Sequence, residues 1–206
     1  MAEAKTHYRI YETETVKPGW VVVVMFLATV SVIGSLSTGI FRTELNLKYR
    51  AGHDIEFLRK YRNLQLLILS YTNVSDLEPL RELKALRELY LCGTKVSSIE
   101  PISKLYNLEV LDLTGTSVSD IRPLTTLKNL EKLYLKETKV SDLEPLRGLT
   151  KLERLDLDYT PINDLTPLHG LKGLRLLFVS GCDQVPPGQV RELKKALPSI
   201  SGPREN

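Results

Sequence analysis

Leucines recur at a fixed spacing of 22 residues through the C-terminal two thirds of the chain. The order of apolar and polar positions inside each unit is also nearly constant, and the copy at 108–129 reads LEVLDLTGTSVSDIRPLTTLKN. A fixed period in the twenties predicts a solenoid, because one unit can bury its apolar side only against its neighbours. The leading leucines of the six units are Leu64, Leu86, Leu108, Leu130, Leu152 and Leu174.

Each unit contains the signals of one short strand and one tight turn. At 111–113 two leucines flank an aspartate, and this alternation is typical of a strand with one buried face. The Ser-Asp pair at 119–120, followed by Pro123, predicts a capped turn or a single helical turn. Leu124 and Leu127 then return apolar side chains to the core.

These units resemble the leucine-rich repeat family, in particular the 22-residue bacterial repeats similar to those of internalins. The resemblance implies an α/β solenoid with one short parallel strand per repeat on the concave side and short helical turns on the convex side. The family usually has asparagine at the ninth position, where a hydroxyl could satisfy similar backbone groups. Here that position holds Thr72, Thr94, Thr116, Thr138, Thr160 and Cys182.

The ends of the array depart from the repeat, as expected where a stacked core needs closing. Residues 42–63 keep the core positions of one unit in degraded form, which predicts an N-terminal capping repeat. Five regular repeats follow at 64–173. Residues 174–198 hold the last repeat and a helical pattern ending at a proline, which predicts a C-terminal capping helix. We expect 199–206 to be a tail.

A second apolar pattern lies at 20–41, after an N-terminal tail at 1–19. No residue between Lys17 and Arg42 is charged, and 22 helical residues reach about 33 Å, the thickness of a bilayer core. Trp20 and Phe41 bracket the segment as interfacial aromatics do. A single transmembrane helix is the favoured interpretation, with a cleaved signal peptide or a buried core helix as alternatives.

Small residues mark one face of this predicted helix and would allow close packing on another transmembrane helix. Equally, their hydroxyls could bond back to carbonyl groups of the same helix. The face consists of Ala28, Ser31, Ser35 and Thr38. Basic residues are more numerous after the segment than before it, which weakly favours a solenoid on the cytoplasmic or matrix side.

Composition narrows the function classes. The chain has 206 residues with 28 basic and 25 acidic side chains, and from Leu64 onward the charges balance. A neutral domain argues against nucleic-acid binding, which requires a concentrated positive surface. Cys92 and Cys182 lie four repeats apart, nearly 20 Å at one strand spacing of about 4.8 Å per repeat, too far for a disulfide.

The sequence offers no catalytic constellation. It has no phosphate-binding glycine loop and no HExxH, CxxC or GxSxG motif, so we expect no enzyme activity, metal or cofactor. Asp156 and Asp158 form a carboxylate pair, with Asp112 nearby on the presumed concave strands. They could bind a cation or act in acid–base chemistry, but no histidine or lysine accompanies them, so an acidic patch that meets a basic partner is the favoured interpretation.

Variable positions on the strands carry the functional signal. Aromatic and charged side chains alternate there while the leucine framework hardly changes, which is typical of a protein-binding surface. High β-propensity alone would also enrich tyrosine at such positions. The candidate binding residues are Ile68, Tyr90, Asp112, Tyr134, Lys136, Asp156, Asp158, Tyr159 and Phe178.

Two functions are consistent with these patterns. The first is a membrane-anchored protein–protein interaction module whose concave face binds a protein partner. The alternative is an accessory subunit of a large membrane assembly, such as a respiratory-type complex, held through the small-residue helix face. The expected partners are proteins, other membrane subunits among them, and the lipid bilayer.

Overall fold

The computed structural model describes residues 43–49, 54–186 and 188–202. The predicted transmembrane segment at 20–41 lies outside these residues, as do its packing positions Ala28, Ser31, Ser35 and Thr38. Within the described part of the chain, no helix has the length and apolar character needed to cross a membrane.

The repeats form one parallel sheet whose strands follow the order of the sequence. Each strand pairs with the strand one repeat later at an offset of 22 residues, so that Leu111 pairs with Leu133 and Leu133 with Leu155. This regular pairing confirms the predicted parallel sheet with one strand per repeat. The strands are β1 Thr43–Asn46, β2 Leu64–Ile68, β3 Glu88–Tyr90, β4 Val110–Asp112, β5 Lys132–Tyr134, β6 Arg154–Asp156 and β7 Leu176–Phe178.

Short helical turns connect the strands. In four repeats an aspartate caps the turn, because its Oδ1 accepts the backbone N–H two residues later, as Asp120 does from Arg122 at 2.9 Å. A proline follows at the start of the turn. The 3-10 helices span Glu56–Lys60, Glu78–Leu80, Glu100–Ile102, Arg122–Thr126, Glu144–Leu146 and Thr166–Gly170.

A single core of leucine, isoleucine and valine runs between the sheet and these turns. Leu111, Leu113, Leu124 and Leu127 are fully buried, as the period predicts. The threonines at the ninth position are buried too, and each donates its hydroxyl to the carbonyl three residues earlier at 2.6–2.7 Å. In the last repeat the thiol of Cys182 donates instead to the carbonyl of Leu157 at 3.1 Å.

Both ends of the core are covered by different structure. At the N-terminal end β1 pairs with β2, and Ile55 and Leu58 are buried beneath the first turn. At the C-terminal end helix α1, Gln189–Ala196, buries Val190 and Leu193. The chain stays packed beyond 198, because Ile200 is buried and the residue after it forms a parallel bridge to the last strand.

Candidate functional site: the exposed face of the sheet

The solvent side of the sheet, here named the sheet face, carries the third and fifth positions of each 22-residue repeat, counted from its leading leucine. The fifth positions pair in register from strand to strand and form one unbroken row. All members of the row are half-buried. The row runs Ile68, Tyr90, Asp112, Tyr134, Asp156 and Phe178.

Arg154 lies on the sheet face between two aromatic rings. Its Cζ is 5.2 Å from the ring centroid of Tyr134 on β5 and 5.0 Å from that of Phe178 on β7. Both distances are within the range of cation–π attraction. We name these three residues the Arg154 sandwich. Because the strands on both sides of β6 supply the rings, the guanidinium is held in place before any partner arrives.

Tyr90 is fixed by its neighbour on the same strand. Its hydroxyl donates to Oε2 of Glu88 at 3.0 Å. Burial, followed by this hydrogen bond to a carboxylate, raises the pKa of Tyr90 to about 12. The ring therefore presents a neutral, oriented phenol at every physiological pH.

The aspartates of the sheet face are held by backbone amides. Oδ1 of Asp156 accepts the N–H of Asp158 at 3.1 Å, and Oδ1 of Asp158 accepts the N–H of Ser180 at 2.7 Å. Asp112 accepts from Thr114 in the same way at 2.9 Å. Burial raises the pKa of Asp156 above its usual value, although Lys136 and Arg154 oppose that shift. These carboxylates brace the turns that leave the strands.

Tyr159 and Lys136 lie beyond the strand ends rather than on the strands. Tyr159 is 59% exposed and has a positive φ of 57°. The Nζ of Lys136 is 5.6 Å from the centroid of its ring and 3.6 Å from Oε1 of Glu137. The structure thus separates this pair from the central row of the sheet face.

A second aromatic group lies at the N-terminal end of the array. The rings of Tyr49 and Tyr71 stack with centroids 5.1 Å apart and planes 13° apart. The Nζ of Lys48 is 4.8 Å from the first centroid and 5.3 Å from the second. The thiol of Cys92 donates to the Tyr71 hydroxyl at 3.4 Å.

Several functional candidates of the sheet face were not predicted from the sequence. They occupy the third position of each repeat, which faces the same side as the fifth because side chains alternate along a strand. The alternation of side chains was the signal in the sequence that could have identified these residues. The third positions from β3 to β7 are Glu88, Val110, Lys132, Arg154 and Leu176.

Metal-binding geometry is not found on this face. Across 43–49, 54–186 and 188–202, no three histidine, cysteine, aspartate or glutamate side chains are grouped so that they could hold a metal ion. Cys92 and Cys182 are free thiols.

The sequence matches a family model described as leucine-rich repeats in two copies. Four overlapping matches cover residues 62–104, 84–126, 106–148 and 128–169, which together exceed half of the chain. A comparison with curated proteins finds no match.

Solved structures share this architecture. Internalin C2 of Listeria monocytogenes is 31% identical, with a TM-score of 0.70 over 78% of this chain and 69% of its own. Internalin InlF of the same organism is 27% identical, with a TM-score of 0.68 over 77% of this chain, which spans only 46% of InlF. A leucine-rich repeat protein of Leptospira interrogans, 21% identical with a TM-score of 0.65 over 79% of this chain and 48% of its own, shows the same fold. The chain belongs to the leucine-rich repeat family.

Proposed function

We propose that this protein is a membrane-anchored recognition module that binds a protein partner through the sheet face. Leucine-rich repeats serve as protein–protein interaction scaffolds, which sets the general function. One observation carries the specific proposal. The leucine framework is nearly invariant from unit to unit, whereas the half-buried, solvent-facing fifth position changes from each unit to the next and places three aromatic rings in one row.

The chemistry of this row favours binding over catalysis. Aromatic side chains supply a large contact area at a small cost in conformational entropy, and tyrosine and arginine are the residues most enriched at the energetic centre of interfaces. Tyr90, Tyr134 and Arg154 are each oriented by neighbours in the free protein. A partner that docks here has little side-chain freedom left to remove.

The test is a variant in which Tyr90, Tyr134 and Phe178 are all changed to alanine. We expect the variant to enrich its partner at least about tenfold less than the wild type in affinity purification from the native host, read by quantitative mass spectrometry. The matched control is Tyr106→Ala, because Tyr106 is 52% exposed and lies outside the sheet face. Equal partner recovery with the triple variant and the control would refute the assignment of the sheet face.

The membrane anchor is the second part of the proposal, and it is supported by the uncharged 22-residue stretch at 20–41. A span of that length matches the bilayer core, and the basic residues that follow it favour a solenoid on the cytoplasmic or matrix side. Its small-residue face would pack on another transmembrane helix.

Intact mass and extraction behaviour of the native protein test the anchor. We expect the native mass to include residues 1–41, and we expect the protein to stay in the membrane pellet after alkaline carbonate washing. Loss of the N-terminal segment from the mass would instead indicate a cleaved signal peptide. Release of the full-length chain into the wash would show that the segment does not span the bilayer.

A further inference from the structure

We propose that the Arg154 sandwich, together with Lys132, forms a receptor for an aspartate or glutamate side chain of the protein partner. This inference rests on the proposed function and adds the chemistry of the contact. In this proposal the strongest contact with the partner is a charge pair at Arg154 and Lys132, and the aromatic rings hold the arginine in place.

Arg154 differs from the arginines of the helical turns. There, guanidinium groups bond to a carboxylate close by in the chain, as Arg147 does to Glu144 and Arg122 to Asp120. Arg154 has no ion-pair partner among the described residues, and its buried Nε has no hydrogen-bond acceptor there. Its charge is therefore held on the sheet face without a salt bridge, although the carboxylate of Asp156 lies near enough to interact with it electrostatically.

A second cation lies directly beside it. Lys132 on β5 is the register partner of Arg154 on β6. The ion pairs of the described residues do not include it either. Like charges directly opposite each other on neighbouring strands destabilise a sheet. An anion bound over the pair would remove that repulsion, so the free protein favours an acidic ligand at this point.

Asp156, the nearby carboxylate on the same strand, does not fill this role. Its Oδ1 already accepts the N–H of Asp158, and no ion pair joins it to Arg154. Burial raises the pKa of Asp156, and the nearby Lys136 and Arg154 only oppose that shift. Neither Arg154 nor Lys132 forms a salt bridge within the described residues, so an external anion can still pair with them.

The geometry of the sandwich selects a carboxylate side chain. The rings of Tyr134 and Phe178 occupy the two sides of the guanidinium along the sheet, so a ligand approaches only from the solvent above. A planar carboxylate can then accept two parallel hydrogen bonds from the guanidinium. Because the group is already oriented and partly dehydrated, binding immobilises little that was free before.

The test begins with a random dodecapeptide library displayed against the purified full chain. The tightest peptides that bind wild type but not the Tyr90, Tyr134 and Phe178 triple-alanine variant are resynthesised with an amidated C-terminus. We expect these peptides to share an aspartate or glutamate. Changing that residue to asparagine or glutamine should weaken binding about tenfold or more, and Arg154→Ala should do the same.

Matched variants separate charge recognition from general damage. Arg175→Ala removes an exposed arginine just before β7 and should leave the affinity within about twofold. Arg154→Lys keeps the charge but loses the planar donors. Its affinity for the acidic peptide should lie between those of the wild type and Arg154→Ala. In a double-mutant cycle, the losses of binding free energy caused by Arg154→Ala and by neutralising the peptide should not be additive.

The failures are distinguishable. Sheet-face peptides without an acidic residue, or acidic peptides indifferent to Arg154→Ala, would overturn this inference and leave the proposed function standing. Loss of binding on C-terminal amidation alone would assign the site to a chain terminus and contradict the side-chain proposal. A selection whose peptides all bind the triple variant equally well, or that returns no binder, would contradict both the inference and the proposed function.

Discussion

Replacing Leu133 with alanine is expected to lower the free energy of unfolding by about 2–5 kcal/mol. Leu133 lies at the centre of β5, is fully buried, and pairs in register with Leu111 and Leu155. In a solenoid each repeat is stabilised by its two neighbours, so a cavity in a central unit weakens two interfaces at once. Chemical unfolding of the full chain in a mild non-ionic detergent, followed by circular dichroism, measures the change.

Leu176→Ala is the matched control for this substitution. Leu176 lies on β7 and is 37% exposed on the sheet face, so its truncation leaves no buried cavity. We expect Leu176→Ala to lower the free energy of unfolding much less than Leu133→Ala does. If the two variants lost the same stability, the continuous buried core described above would be wrong.

Gly181→Ala is expected to destabilise the protein by about 1–3 kcal/mol. Gly181 has a φ of +69°, a conformation that costs an L-residue energy, and a Cβ built there would lie 2.4 Å from Cδ1 of Tyr159. Either the ring or the turn has to move. The same unfolding measurement reports the loss.

Gly170→Ala and a double variant separate the two causes. Gly170 has no positive φ, and a Cβ added there meets nothing within 4 Å, so the change should be close to neutral. Tyr159→Ala removes the steric conflict. In that background Gly181→Ala should lower the free energy of unfolding only by the backbone strain, about 1–2 kcal/mol. Strict additivity of the two substitutions would show that the ring does not contact the new methyl group.

The leucine framework could be predicted from the sequence because every unit repeats the same environment. The positions of Leu111 and Leu113 in one unit fix those of their counterparts 22 residues away, so the period alone specifies strand pairing and the buried side. The capping role of Asp120 was predictable for a different reason. Its side chain bonds to its own turn and so requires no distant partner.

The Arg154 sandwich could not be predicted in this way. Strand alternation places Arg154 on the same face as Tyr134 and Phe178, but the contacts depend on the rotamers of side chains from three strands. The sequence prediction rested on the fifth and seventh positions of the repeat, whereas Arg154 occupies the third.

The aspartates of the sheet face show a different limit. Asp156 and Asp158 suggested an acidic patch because the sequence shows their charges but not the backbone amides that approach them. The N–H of Ser180 that bonds to Asp158 comes from the next repeat, and its direction depends on the loop between the strands. These carboxylates are therefore fixed by backbone donors, a role that the sequence did not show.

Site-specific photo-crosslinking tests the central claim, recognition through the sheet face, most directly. A photoreactive phenylalanine derivative replaces Tyr134 in one full-length variant and Tyr106 in another, and both are irradiated in the native host. We expect a covalent adduct with one protein partner from position 134 and none from position 106. An adduct from position 106 alone, or the same adduct from both positions, would contradict it.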